Sequence, residues 1–262
     1  MDIVHHFLSH RYQKPVLIAH RGESDSFPEN TIPAFKAATE RGTQWVELDV
    51  QLTKDIVPVV MHDPDLKRFG KSDVTVESLT FNELQKIDAG SWKSPEFASL
   101  KIPSLNQVLN ELEGVGVNIE LKREIRPDKR LSALAEITSI IKMREMQKQV
   151  IISSFDDTFL KQSKQVMPDI ATGLLFRFSF KKIRKSIPEL VREAGAEFFH
   201  CSVKQVNRAW MDSLNTHNIP CNVYTVNKMD QVMKLKKMGV AGIFSDRPAA
   251  LSHEYEELSK RG

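Results

Sequence analysis

Little in this chain is suited to cross-linking, to spanning a bilayer or to gripping nucleic acid. It has only two cysteines, Cys201 and Cys221. They form no metal-binding spacing and could close at most one bridge, so both are expected to be buried, reduced thiols. No apolar run approaches the roughly 18 residues needed to cross a membrane. The 37 basic residues outnumber the 34 acidic ones by only three, and no long basic tract gathers them, which leaves no electrostatic footprint for nucleic acid. The opening MDIVHHFLSHRYQKP lacks the basic start and apolar centre of a secretory signal, so a cytoplasmic location is the expectation. No G-x-G-x-x-G follows the first strand and no Walker-type loop is present, which argues against a dinucleotide or an NTP. Internal repeats and low-complexity tracts are missing too.

What is present is a hydrophobic content of 41% over 262 residues, enough for a substantial core. Apolar, β-rich runs recur at 16–20 (VLIAH), 45–50 (WVELDV), 57–62 (VPVVMH), 117–122 (VNIELK) and 150–155 (VIISSF). Four more follow at 171–176 (ATGLLF), 198–202 (FFHCS), 221–226 (CNVYTV) and 242–246 (GIFSD). Amphipathic segments lie between most of them, at 32–41, 104–113, 129–146, 157–166, 182–194 and 228–238. Strands alternating with helices predict βα units and a parallel sheet. Only KDI separates the second run from VPVVMH, too few residues for a parallel crossover, so VPVVMH is expected to fold back as an antiparallel hairpin arm. Eight staves remain, and the expected fold is an α/β, (β/α)8 TIM barrel, with an open doubly wound sheet as the alternative. Residues 64–103, rich in charge and turns with one helical stretch near 81–87, read as a small insertion after the hairpin. No linker divides the chain, so 1–262 is expected to be a single domain closed by a helix after Pro248.

Reactive side chains of such a barrel gather at the C-terminal ends of the strands. There the sequence places His20-Arg21, Glu47, Asp49, His62-Asp63, Glu120, Lys122, Ser154-Phe155, His200, Tyr224 and Asp246. Glu47 and Asp49 are two apart and project to one side of their strand; Glu120 and Lys122 repeat the arrangement. Three carboxylates in one barrel mouth would repel strongly without a cation, and hard oxygen donors with no Cys/His set point to one divalent metal, Mg2+ or Ca2+. His20 and His62 beside that cluster suit a general acid/base pair. Arg21 offers a planar fork for a phosphate oxygen and Lys122 a second positive charge, a combination that describes phosphoryl transfer better than carbonyl chemistry.

The ordered set AHRG, PENTIPAF, VELDVQLTKD, VPVVMHD, IELK, SF, YTVN and GIFSDRP resembles the bacterial glycerophosphodiester phosphodiesterase family, from about Pro15 to Pro248. The resemblance implies a (β/α)8 barrel with an insertion after the hairpin. It also implies metal-dependent hydrolysis of small glycerophosphodiesters, such as glycerophosphocholine or glycerophosphoethanolamine, to sn-glycerol 3-phosphate and an alcohol. Carried over by motif, His20 and His62 would be the acid/base pair and Glu47, Asp49 and Glu120 the metal ligands. Arg21 and Lys122 would bind phosphate, Phe155 and Tyr224 would contact substrate, and Glu29 would support the loop after the first strand or reach the metal or the glycerol. Asn30 is expected to cap the following helix. The chain departs from the family pattern at Tyr224, where Trp is frequent, and at Ser245, where Thr is.

Two rival readings keep the barrel. A lysophospholipase D-like or other phospholipid phosphodiesterase would use LLFRFSFKKIRK, with Phe176, Phe178 and Phe180 against acyl chains and Lys181, Lys182, Arg184 and Lys185 against lipid phosphates. The plainer reading, a loop covering the mouth followed by a solvated basic helix face, is the expectation. A barrel that only binds phosphodiesters would have lost a ligand or a histidine, and none is lost.

Overall fold

The computed structural model describes residues 4, 5, 7, 14–177 and 185–261. Its strands are β1 (Val16–His20), β2 (Trp45–Leu52), β3 (Pro58–Val60), β4 (Asp65–Leu66), β5 (Lys71–Thr75), β6 (Gly116–Leu121), β7 (Val150–Ser154), β8 (Ala171–Leu175), β9 (Phe198–Ser202), β10 (Cys221–Tyr224) and β11 (Gly242–Ser245). Eight of them run parallel in the order β1-β2-β6-β7-β8-β9-β10-β11, and β11 pairs back onto β1 to close the barrel. β3 is the expected antiparallel arm, with Val60 opposite Val50 and Pro58 opposite Leu52.

The alternation of β2 shows how sequence becomes layers. Val46, Leu48, Val50 and Leu52 face outward and pack with Phe35, Leu105, Val108 and Leu109 of the surrounding helices, all buried. Each such aliphatic side chain contributes about 1.5–3 kcal/mol by leaving water. Trp45, Glu47, Asp49 and Gln51 therefore face inward. Trp45 lies on the barrel floor, where Phe7 plugs the opening with ring centroids 4.8 Å from Trp45 and 5.3 Å from Phe198. Above that apolar floor lies a buried polar layer, in which Asn118 donates to Ser153 Oγ at 2.9 Å and Asn222 Nδ2 lies 3.3 Å from His200 Nε2. The charged mouth comes last.

The helices begin where their caps dictate. Thr31, Ser104, Asp156, Ser186 and Asn207 each accept a backbone N–H of the first turn, a contact typically contributing ~1 kcal/mol. Ser186 starts its helix at Ile187, so the expected helix at 182–194 is shorter, Ile187–Ala194. The insertion carries a hairpin (β4–β5), a helix at Phe81–Leu84 and a small core of its own, in which Leu66, Val76, Leu84, Ala89 and Ile102 close under Val59 and Met61. Cys201 and Cys221 are free and buried on adjacent strands, with Sγ atoms 3.9 Å apart. No helix among the described residues is long and apolar enough to cross a membrane.

Candidate active site

The loop after β1 is shaped by its backbone. Arg21 (φ 58) and Gly22 (φ 87) are both left-handed. A Cβ on Gly22 would lie 2.6 Å from the backbone of Ala34, so only glycine lets the loop sit down on its helix. Arg21 has no such exemption and adopts a conformation costing about 1–2 kcal/mol. Its partners offset that: the backbone N–H reaches Glu47 Oε2 at 3.1 Å, and the guanidinium contacts Glu29 Oε1 and Asp49 Oδ2 at 3.0 Å each.

Glu47, Asp49 and Glu120 converge as their strands predict, with Asp49 in register with Glu120 across β2 and β6. All three are buried or nearly so, and one oxygen from each lies within 4.8 Å of the others. Lys122 Nζ sits 2.9 Å from Glu120 and 3.3 Å from Asp49. Burial drives the Glu47 carboxyl well above its ordinary range, and the charges of Asp49 and Glu120 add to this against Arg21 and Lys122. Glu120 is pushed up the same way, by burial and then by Asp49. Asp49 goes the other way: burial would raise it, but Arg21, Lys122, His62 and the Asn30 hydrogen bond together hold it well below the carboxylate range. Two of the three acids are thus short of positive charge. The spread fits one oxygen-seeking dication, since ligands on opposite sides of Ca2+ lie about 4.6–5.2 Å apart.

Each expected histidine has its own carboxylate. His20 Nδ1 lies 2.7 Å from Asp246 Oδ1, and His62 Nδ1 lies 2.8 Å from Asp63 Oδ1. Burial would raise Asp246, but hydrogen bonds from His20, Asn227 and Ser24 win and hold it at about 2. An ionised carboxylate only accepts, so Nδ1 carries the proton and Nε2 is left to act. His20, Arg21, Glu47, His62, Glu120, Lys122, Phe155 and Tyr224 line one cavity of about 210 Å3. A second hollow of about 400 Å3 opens from it, sharing Glu120, Lys122, Phe155 and Tyr224 and adding Arg123, Glu124, Phe176, Arg177 and Gln205. Asp49, the most buried of the three acids, does not reach the cavity surface, and Glu29 faces an adjoining hollow with His62, Asp63, Arg68 and Trp92.

Some expectations need correction. Asn30 does not cap the helix; Thr31 does, and Asn30 (φ 59) turns its amide onto Asp49 Oδ2 at 2.9 Å. His200 is not at the rim, because β9 runs on to Ser202, two residues further, and leaves His200 one pleat down in the buried polar layer, where burial pushes it to about 3. Ser154 is buried with Oγ donating to Leu121 O at 2.8 Å. Phe176 is buried, edge-on to Trp210 at 5.2 Å, rather than exposed on the surface. Lys185 pairs with Glu193, while Phe178, Phe180, Lys181, Lys182 and Arg184 lie outside the described residues. Sequence reasoning gave Asp63 no task and missed Arg68 and Asn227; a carboxylate directly following a rim histidine was the available signal for Asp63.

With this geometry in place, comparison with known proteins is decisive. The profile of the glycerophosphoryl diester phosphodiesterase family matches residues 20–250. The chain belongs to that family. A glycerophosphodiester phosphodiesterase of Caldanaerobacter subterraneus subsp. tengcongensis is 33% identical, covering 91% of this chain and 96% of its own. One from Bacillus subtilis is 29% identical over 88% of this chain and 83% of its own. Among solved structures, an Oleispira antarctica phosphodiesterase in complex with its product sn-glycerol-3-phosphate superposes with a TM-score of 0.85 at 27% identity, covering 93% of this chain and 97% of that one. The Thermotoga maritima glycerophosphodiester phosphodiesterase gives 0.75, also at 27% identity, over 92% and 99%. This chain is accordingly an enzyme, a phosphodiesterase on a TIM barrel.

Proposed function

We propose that this chain, acting as one barrel domain, hydrolyses glycerophosphodiesters with small alcohols, such as glycerophosphocholine or glycerophosphoethanolamine, to sn-glycerol 3-phosphate and the alcohol. The observation that carries the reading is a cavity lined by two carboxylate-anchored histidines and by Glu47 and Glu120, which with the buried Asp49 form a three-carboxylate cluster. Glu47, Asp49 and Glu120 would hold one divalent ion, Mg2+ or Ca2+. Bound there, such an ion would supply Lewis-acid chemistry, drawing charge from a phosphoryl oxygen and easing loss of a nearby hydroxyl proton.

The chain's own residues account for the rest. Arg21 and Lys122 orient the phosphate. His20 Nε2 takes the proton of the glycerol 2-hydroxyl as its oxygen bonds to phosphorus. His62 acts as the imidazolium: with its Nδ1–H kept on Asp63, it gives its second proton, on Nε2, to the departing alcohol oxygen as that P–O bond breaks. A cyclic 1,2-phosphate results, and water opens it with the two histidines in reversed roles. Glycerol phosphate occupies the 210 Å3 cavity and the alcohol enters the 400 Å3 hollow past Phe155 and Tyr224.

The division of labour is tested with two leaving groups. A p-nitrophenol leaves without protonation, so His62→Ala is expected to retain far more activity on glycerophospho-p-nitrophenol than on glycerophosphocholine. His20→Ala should lose both equally. Equal losses for His62→Ala on the two substrates would contradict its role as acid.

A further inference from the structure

The two histidine–carboxylate pairs are supported differently. Asp246 is held within the barrel by Asn227 Nδ2 at 2.6 Å and Ser24 Oγ at 3.2 Å. Asp63 leans instead on the insertion. Arg68, in the turn Lys67–Phe69, places Nε at 2.9 Å and a terminal nitrogen at 2.7 Å from Asp63 Oδ2. Its other terminal nitrogen lies 3.0 Å from Glu29 Oε1, the atom that also takes Arg21 at 3.0 Å. The guanidinium lies 4.6 Å from the ring centre of Trp92, which fixes the plane of the fork. One side chain thereby closes a chain of contacts His62–Asp63–Arg68–Glu29–Arg21.

We propose that Arg68 is a positioning residue for the reaction: it holds Asp63 so that the His62 imidazole keeps its orientation and tautomer, and it clamps Glu29 against Arg21 so that the phosphate-binding loop stays registered to that histidine. The inference rests on the proposed function only for its kinetic consequence. A planar fork is required because two carboxylates on different segments must be held at once; lysine offers a point charge and cannot hold both in one plane.

The test compares Arg68→Met, Arg68→Lys and Asp63→Asn in the metal-loaded, full-length protein. Long-range 1H–15N spectra of the imidazoles report tautomers directly. In the parent protein His62 should keep its Nδ1–H toward Asp63 throughout, so that its neutral form, read at alkaline pH, is the Nδ1–H tautomer. In Arg68→Met its signals should move toward a tautomer mixture while those of His20 stay in place. With glycerophosphocholine, kcat should fall about 10- to 100-fold with a much smaller change in KM, the size expected when a reacting group is displaced by about 1 Å. Arg68→Lys should fall between, and Arg68→Met combined with Asp63→Asn should lose less than the product of the two single losses, since only the Glu29 contact is left for the second change to remove. Unchanged His62 signals in folded Arg68→Met, or multiplicative losses in the double variant, would overturn the proposal. Should Arg68→Met not fold, Arg68→Lys carries the same imidazole readout. If the parent protein released no glycerol 3-phosphate from any diester, the proposed function would fail, and the His62 spectra would still decide the role of Arg68.

Discussion

Across the barrel mouth, one wall (β1, β2 and β6) presents His20, Arg21, Glu47, Asp49, Glu120 and Lys122, whereas the opposite wall presents Phe155, Leu175 and Tyr224. The first wall is assembled against its own stability, since burial and mutual repulsion push Glu47 and Glu120 above their ordinary range. The second is ordinary packing: Phe155 meets Tyr224 edge-on at 6.2 Å, and Tyr224 meets Phe244 at 6.3 Å. The contrast teaches where function lies. Charge is concentrated where phosphorus would react, and the aromatic rings of Phe155 and Tyr224 flank the passage by which a variable alcohol would leave.

The largest expected effect breaks the charged wall. Under the proposed function, in which Glu47 would hold the metal, Glu47→Gln should lower turnover on the order of 1,000-fold, the several kcal/mol of charge stabilisation a lost ligand would remove. The same change should stabilise the metal-free protein. A carboxyl whose folded pKa is raised loses stability as pH climbs past its ordinary 4.5, so at neutral pH Glu47→Gln should melt higher than the parent, with the difference closing below that value. A melting series with and without metal checks both statements. A second expectation follows from the same acids. Protons compete with metal for Glu47 and Glu120, whose carboxyls burial raises above their ordinary range, so apparent metal affinity should fall as pH is lowered and proton release on binding should grow, as a weakly buffered titration would measure. Pure Coulomb attraction to carboxylates already ionised would give a flat response.

The opposite wall should answer differently. Tyr224→Ala opens the passage between the two hollows, and it should shift kcat/KM between choline and ethanolamine diesters by about tenfold or less, the scale of one lost apolar contact. The affinity for glycerol 3-phosphate should hardly change. The smallest effect on stability lies outside both walls, at the anchor of His20. Asp246 is depressed from 3.8 to about 2, so it stabilises the fold above 3.8 and this contribution is lost as pH falls through 2. Asp246→Asn should therefore be less stable at neutral pH, and the two melting curves should converge between pH 4 and 2.

Much of this was legible before any coordinates. The period-two spacing of Glu47 and Asp49, the three residues of the KDI turn and the alternation of apolar runs lead directly to the barrel, the hairpin and the shared face of the carboxylates. What escaped depended on turns and strand ends. The left-handed conformation of Asn30, which aims its amide at Asp49 rather than at the next helix, has no signature in PENTIPAF. His200 looked like a rim residue because FFHCS does not reveal that the strand runs two residues past it. The helix Arg208–Thr216 was not singled out, although Asn207 as its cap and Met211 and Leu214 at helical spacing were the available signals. Arg68 was invisible for another reason: its partners, Asp63 and Glu29, lie 5 and 39 positions away and meet only after the insertion folds.

The measurement that tests the central claim most directly is release of sn-glycerol 3-phosphate from glycerophosphocholine by metal-stripped protein, with Mg2+ or Ca2+ added back, beside Glu47→Ala and His62→Ala. The account predicts release only with metal, and its near-complete loss in both variants while both remain folded. Release undiminished by metal removal, or surviving in Glu47→Ala, would contradict the claim that the buried carboxylate cluster of β2 and β6 is the reaction's metal site.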